Sequence, residues 1–330
     1  LGGDASRTCL NFTMRWAKKS ASQRLPRLFL CLLPGAVLLS HWAVSDLQWS
    51  FAGLCQARQL HSHRCQAREK AVTRGGGGVA VVEHKVAPPP TDAIFQWLDE
   101  AYPGNWGEVL DAGTGPDSLR WLAHRQFSAV TAVTAESGMY ATVEDEVGPY
   151  LDPSSDELLV GSWAARGFLE GSSFDVVVAD YLLGALDTTA PHFQEWVMYR
   201  LWQVTKPGGL LILIGKEPTP QTPDKGVPHL YRAVEALRDS AIVVSGQRLY
   251  RELPQWWIRQ HMLDLGFEIQ EEKVFRKMVN HEKMDAQLEW AQDAIAEVTD
   301  KPIKNAMRGK LGALRRACHS EPSLEEGVLF

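Results

Sequence analysis

Cysteine is scarce where a disulfide would matter. Of five cysteines, Cys9, Cys31, Cys55 and Cys65 fall in the head of the chain, and only Cys318 lies beyond. A lone thiol makes no internal bridge. That excludes a disulfide-stapled secreted domain and a multi-cysteine metal cluster for the body. Cys318 reads as structural, and no resident metal is expected. Acid is missing too: no Asp or Glu stands between Asp4 and Asp46. Residues 1–82 hold 11 Lys/Arg against 3 acids, a net of +8, while the remainder holds 23 against 37, a net of -14. An acidic body repels phosphate, which argues against nucleic acid as a partner. What is present is a globular composition, 45% hydrophobic and 22% charged, enough for a sizeable core.

The head has the order of an address. Arg15, Lys18, Lys19, Arg24 and Arg27 precede Leu28–Val44, seventeen residues without formal charge, which end in Ala43-Val44-Ser45. Bases, an apolar run and small residues make a secretory signal pattern over residues 1–45. A retained anchor is the alternative; Pro34-Gly35 and the short run count against it. Residues 46–82 are rich in Arg, His, Gln and Ala, which is transit-peptide composition. Together they are similar to the two-part leader of proteins sent to complex plastids, and a plastid location is the expectation. A secretory or cytoplasmic location follows instead if the N-terminus is an artefact of the gene model; Met14 offers a more ordinary start. Gly75–Gly78 and Pro88–Pro90 read as linker. The expected division is leader 1–45, disordered linker 46–90, folded domain 91–280 and helical extension 281–330, with the head outside the mature fold and no stable membrane association of the mature domain.

The body alternates apolar runs with helical patterns. Glu108–Asp111, Ala129–Ala135, Leu158–Val160, Phe174–Asp180 and Leu210–Ile214 read as strands, and 192–204 as a helix with Phe193, Val197, Leu201 and Val204 on one side. Lys206–Gly209 reads as a turn and Ala241–Val244 as a further strand. Continuous apolar strands with helical connections specify an α/β fold, a mostly parallel sheet covered on both faces. Met284, Leu288, Ala291, Ile295 and Val298 make a helical seam that packs on the domain or on another subunit. Ligands in such sheets bind beyond the carboxyl ends of the strands, so the strand ends matter most.

Asp111-Ala112-Gly113-Thr114-Gly115 follows the first strand. A dinucleotide site wants a third glycine, and Ser118 stands there instead. Asp111, two residues before Gly113, suits an ammonium group better than phosphates. This motif, Glu136 closing the second strand, Phe174–Asp180 and the Lys206-Pro207-Gly208-Gly209 turn together resemble the class I S-adenosylmethionine-dependent methyltransferases over residues 92–275. The resemblance implies a three-layer Rossmann-like fold, a seven-stranded sheet with one late antiparallel strand, S-adenosyl-L-methionine as cofactor and methyl transfer to an acceptor. No Asn-Pro-Pro-Tyr motif is present, so methylation of nucleobase or glutamine amino groups loses support and a small-molecule acceptor is expected. The rival readings are a cofactor-binding module without catalysis and a nicotinamide-dependent oxidoreductase.

The resemblance assigns the cofactor to Asp111, Ala112, Gly113, Thr114, Gly115, Ala135, Glu136, Ser162, Trp163 and Asp180. Gly113 and Gly115 let backbone approach the amino-acid tail. Asp111 faces its ammonium directly or through water, or else caps its own turn. Glu136, 21 residues after Gly115, accepts the ribose hydroxyls or is a solvated strand-end acid. An acid after the third strand is lacking; Ser162 and Trp163 stand there to meet adenine, and Trp163 can equally be core. Asp180 and Tyr181 are the candidate catalytic pair, as base or as pocket wall. Downstream, Pro218 to Pro228 form a stiff loop, followed by His229, Tyr231, Arg248, Tyr250 and Trp256-Trp257, an aromatic pocket or ordinary packing.

Overall fold

The computed structural model describes residues 10–18, 87–218, 226–276, 278–326 and 328–329. All fall in one of the chain's two units, Leu1–Leu25 with His84–Phe330. The run Leu28–Val44, the stretch 46–82 and positions 219–225 of the proline loop lie outside the described residues.

Seven strands form one sheet: β1 (Leu10–Lys18), β2 (Glu108–Asp111), β3 (Ala129–Thr134), β4 (Glu157–Val160), β5 (Phe174–Asp180), β6 (Thr205–Lys216) and β7 (Phe267–Arg276). Their order is β4-β3-β2-β5-β6-β1-β7. The pairs from β4 through β6 are parallel, and β1 alone runs antiparallel, to β6 on one side and β7 on the other. On one face lie α1 (Ala93–Ala101), α2 (Pro116–His124) and α3 (Ser137–Glu146); on the other lie α4 (Leu182–Thr189), α5 (Gln194–Val204) and α7 (Gln255–Asp264). Strand residues alternate between these two cores. Leu110, Val177, Leu211 and Leu213 pack with Leu186, Leu201 and Met262, while Val109, Val178, Ile212 and Ile214 pack with Leu98, Leu119 and Val143. That alternation is why the strands read as unbroken apolar runs. This is the three-layer Rossmann-like architecture, with seven strands and one antiparallel.

The antiparallel strand does not come from where the resemblance places it. It comes from the N-terminal segment, which was expected to stand outside the fold. Leu10, Phe12, Met14 and Trp16 alternate with Asn11, Thr13 and Arg15, the period of a half-buried strand. Of the bases that gave this segment its leader character, Arg15 and Lys18 lie within the strand. Trp16 is fully buried and meets Phe267 edge-on, ring centroids 6.5 Å apart. Other boundaries shift as well. Ala87–Pro90 packs on the domain, where buried Ala87 bonds His124 Nδ1 through its carbonyl at 2.9 Å. Ala241–Val244 is the end of a helix, α6 (Val227–Val244), because its apolar residues continue the pattern of Val234 and Leu237. Lys206–Gly209 is absorbed into β6 as an irregularity opposite Phe174–Val176. Gly208 takes φ +81°, and a Cβ on Gly209 would stand 2.9 Å from the carbonyl oxygens of Asp175 and Lys206.

A second core joins α6 to α8 (His281–Glu297) and α9 (Lys301–His319). The seam Met284, Leu288, Ala291, Ile295 and Val298 is buried in it, so the helical extension begins in effect at α6. Cys318 is buried there, and burial pushes its thiol up to about 11. A two-stranded pair, β8 (Met278–Val279) with β9 (Val328–Leu329), completes the fold. Among the described residues no helix is long and apolar enough to cross a membrane.

Candidate functional site

The carboxyl ends of β2, β3, β4 and β5 open on a crevice of about 240 Å³. Its walls include Ala112, Gly113, Thr114, Gly115, Ala135, Glu136, Trp163 and Asp180, with Tyr181 beside them. Of the ten residues assigned to a cofactor from the sequence, Asp111 and Ser162 alone stay off these walls.

Asp111 ends β2 and is completely buried behind the glycine loop. Ser118 Oγ donates to its Oδ2 at 2.9 Å, and the Gly115 amide donates to Ser118 Oγ at 3.2 Å. Ser118, at the place of the missing third glycine, therefore braces the loop. Asp111 Oδ1 has no hydrogen-bond partner among the described residues, and burial raises its carboxyl to about 6, against the bond from Ser118 that lowers it. Ser162 turns away from the crevice, its hydroxyl accepting from the Ala164 amide at 3.2 Å. A short polar side chain in a turn bonds locally in this way.

The two glycines differ. A Cβ on Gly113 would fall 2.9 Å from Leu182 Cδ1, so its lack of a side chain serves the packing of α4. A Cβ on Gly115 meets nothing within 4 Å, and this glycine opens the crevice. Trp163 is both core and wall. It is 3% exposed, its indole N–H donates to the Ala112 carbonyl at 2.6 Å, and Phe168 meets it edge-on. Glu136 stands exposed at the mouth and does not cap the helix it precedes, which leaves its carboxylate available.

Asp180 and Tyr181 mark a second feature. Both also line a larger cavity, about 690 Å³, walled by Pro88–Pro90, Asp92, Phe95, Arg120 and Trp121 among others. Asp180 Oδ1 is shut off from solvent, without a partner among the described residues. Burial pushes its carboxyl up to about 8, and the charges of Asp111, Asp92 and Asp117 push the same way. Tyr181 sits in the left-handed region, φ 47° and ψ 14°, an uncommon conformation for a bulky residue. Its phenol is raised by burial and then by Asp180.

Several wall residues carried no signal of their own. Leu182, Ala185 and Leu186 look like helix core, and Met139 like a surface residue. Pro88–Pro90 looked like linker. Tyr250 belongs to the aromatic set named from the sequence and overhangs the crevice, 57% exposed. Its loop is pinned to α4: the Arg251 amide donates to Gly184 O at 2.9 Å, and Arg248 and Arg251 flank Asp187 at 3.9 and 3.7 Å. Trp257 packs on the core while Trp256 is 68% exposed.

Several solved structures align with this chain. The chain is similar in fold to S-adenosylmethionine-dependent methyltransferases. A proposed methyltransferase of Bacillus halodurans C-125 aligns at 17% identity with a TM-score of 0.46, over 69% of this chain and 85% of its own. The cyclopropane synthase MmaA2 of Mycobacterium tuberculosis aligns at 16% with a TM-score of 0.42, over 69% and 78%. A methyltransferase of Thiobacillus denitrificans, solved with S-adenosyl-L-homocysteine, aligns at 14% with a TM-score of 0.41, over 72% and 90%. No family model and no curated protein matches the chain. At such identities and scores the chemistry has to be read from the crevice itself.

Proposed function

We propose that this chain binds S-adenosyl-L-methionine in the crevice above β2–β5 and transfers its methyl group to a small-molecule acceptor. The observation that carries this reading is the meeting of two cavities at one residue pair: Asp180 and Tyr181 line both. A group transfer between two bound molecules needs such a shared wall, because the reacting atoms must face each other across it.

The residues present suit the cofactor. Gly115 leaves open the space that a tail would enter. The uncapped carboxylate of Glu136 can accept from a pair of ribose hydroxyls. The orphaned Oδ1 of Asp111 places negative charge beneath the crevice, and a cationic ligand would favour the ionised form of Asp180 beside it, where a diphosphate would not. When bound, the cofactor supplies a methyl group on positive sulfur, already activated for displacement. The chain's own tasks are then alignment, exclusion of water and the acceptor's proton. Leu182, Leu186 and Trp163 make the crevice apolar on one side. Tyr250 stands at the mouth. Asp180, where carboxylates crowd a buried carboxyl, can take up a proton near neutral pH.

Calorimetry with S-adenosyl-L-methionine and with NADH, followed by a labelled-methyl assay on a small-molecule extract, tests the reading. Binding of the first alone, with label transferred, is expected. Binding of NADH alone would replace the proposal with an oxidoreductase, and S-adenosyl-L-methionine binding without transfer would reduce it to a binding module.

A further inference from the structure

Two features of the larger cavity point to its occupant. Its floor is apolar: Phe95 stacks on Trp121, ring centroids 4.5 Å apart and planes 11° from parallel, under the wall made by Pro88–Pro90. Its ionised groups are mostly acidic: Asp92 and Asp117 line it with one base among the described residues, Arg120, and the buried carboxyl of Asp180 stands beside them. Arg120 is already engaged, meeting Asp117 at 3.2 Å and Glu146 at 2.7 Å. Asp92 accepts the Ile94 amide of its own helix at 2.7 Å and has no cation beside it among the described residues. The buried Oδ1 of Asp180 has no partner among the described residues.

We propose that the acceptor is a cationic amine on an apolar body, seated in the larger cavity with its nitrogen toward Asp180 and Asp92. The inference rests on methyl transfer at Asp180–Tyr181. An anionic acceptor would meet the same carboxylates that crowd Asp180, and an alcohol would leave their field uncompensated. An ammonium relieves it, while the aromatic and proline walls take the body. The step balances. The ammonium's charge favours the ionised form of Asp180, whose proton leaves to solvent, and the ammonium then gives a proton to that carboxylate. The freed nitrogen lone pair then forms the N–C bond as the C–S bond breaks, and that bond's electron pair stays on sulfur as a neutral thioether. The methylated amine leaves with one positive charge, and Asp180 returns its proton to solvent.

Phenethylamine, 2-phenylethanol and phenylacetate carry the same body with three different head groups. Calorimetry of each against the full chain, without cofactor, reads the cavity alone. The amine is expected to bind at least about tenfold tighter than either analogue, as a buried charge contact implies. Asp92→Asn keeps a good helix cap, and its loss of charge should weaken the amine roughly fivefold, as for an ion pair partly open to water. The alcohol should be indifferent to that change. Asp180→Asn, with folding checked by its melt, should weaken the amine further and stop methylation. Phenylacetate binding as tightly as the amine, an amine affinity equal in parent and variants, or no amine binding would each overturn the proposal. S-adenosyl-L-methionine is titrated into the same preparation. Amine binding without cofactor binding would fail methyl transfer and leave the cavity's preference standing.

Discussion

The two ends of the parallel strands are built on opposite rules. At the amino end the lysine ammonium groups are tied to neighbouring strands and helices. Lys206 Nζ joins Glu108 and Asp175 at 2.7 and 3.0 Å, tying β6 to β2 and β5. Lys18 Nζ donates to the carbonyls of Trp202 and Thr205 at 2.7 and 2.8 Å, closing the end of α5, and lies over the Trp202 ring. At the carboxyl end two buried carboxylates keep orphaned oxygens, a tyrosine holds a left-handed backbone, and a glycine leaves space unfilled. Unsatisfied groups cost stability. The orphaned carboxylates gather at the carboxyl end, where a cationic ligand can complete them, and the lysine bonds gather at the amino end, where the fold is held.

The largest expected effect breaks the satisfied end. A chain that begins at residue 46, as a cleaved leader would leave it, lacks β1. Both β6 and β7 then lose their neighbour, and Phe267 loses Trp16. We expect no cooperative urea transition for that chain. Trp16→Ala in the full chain should cost about 3–5 kcal/mol, the range for a buried tryptophan. An unaltered midpoint in both would remove residues 10–18 from the sheet.

That strand is also where the sequence was hardest to read. Phe174–Asp180 and Leu210–Ile214 are legible because burial on both faces demands unbroken apolar runs. The strand ends follow from them, and with them most of the crevice. Leu10–Lys18 obeys a strand period too, but its bases and the apolar run after it make a stronger local pattern of another kind. Pairing with β6, some 200 residues away in the chain, leaves no local trace. The proline wall of the larger cavity is illegible in the sequence for a related reason. Pro88–Pro90 has the composition of a linker, and only the packing of Ala87 against His124 makes it a wall. Asp111 was legible as a special residue but not in its orientation, since Ser118 turns its carboxylate inward.

A matched pair of glycine substitutions sharpens the contrast between the ends. Gly209→Val sets a side chain against two carbonyl oxygens and should cost about 3 kcal/mol or more of stability. Gly115→Val enters open space, so only the weaker helix cap should be felt, about 1 kcal/mol. Its cofactor affinity should fall about 100-fold, close to 2.7 kcal/mol, in calorimetry. Equal affinity in parent and Gly115→Val would move the tail out of this cradle.

Next in size is the pH response of the unsatisfied end. Asp180 titrates near 8 in the fold, against 3.8 for an ordinary aspartate. Between those values the folded chain holds a proton that the unfolded chain has lost. The stability this group contributes is full below about 4 and drains away as pH rises through about 8. Asp180→Asn removes that slope. Relative to the parent it should gain about 2 kcal/mol between pH 5 and pH 9, a fraction of the full linkage since neighbouring carboxylates relax with it. Asp111 drains stability in the same direction, up to about 6, and is unchanged in the comparison. Urea midpoints of both proteins at pH 5, 7 and 9 provide the check; parallel curves would mean that Asp180 is ionised throughout.

The smallest effects belong to the two lysines of the satisfied end, and they are not equal. Lys18 is partly buried, and burial lowers its pKa. Lys18→Met strips two carbonyls of their donor at the end of a helix, where a cation is favoured, and should cost about 1 kcal/mol. Lys206 joins two carboxylates but stands in water, its own pKa raised by the bonds to Glu108 and Asp175. Solvent already screens both charges, so Lys206→Met should shift the melt too little to separate from the parent, and less still in high salt. Cofactor binding should be untouched in both. A large loss from Lys206→Met would show that the ion pairs hold this end of the sheet. A small one assigns that task to β1 and to the close approach at Gly209, where chain geometry rather than charge joins the strands.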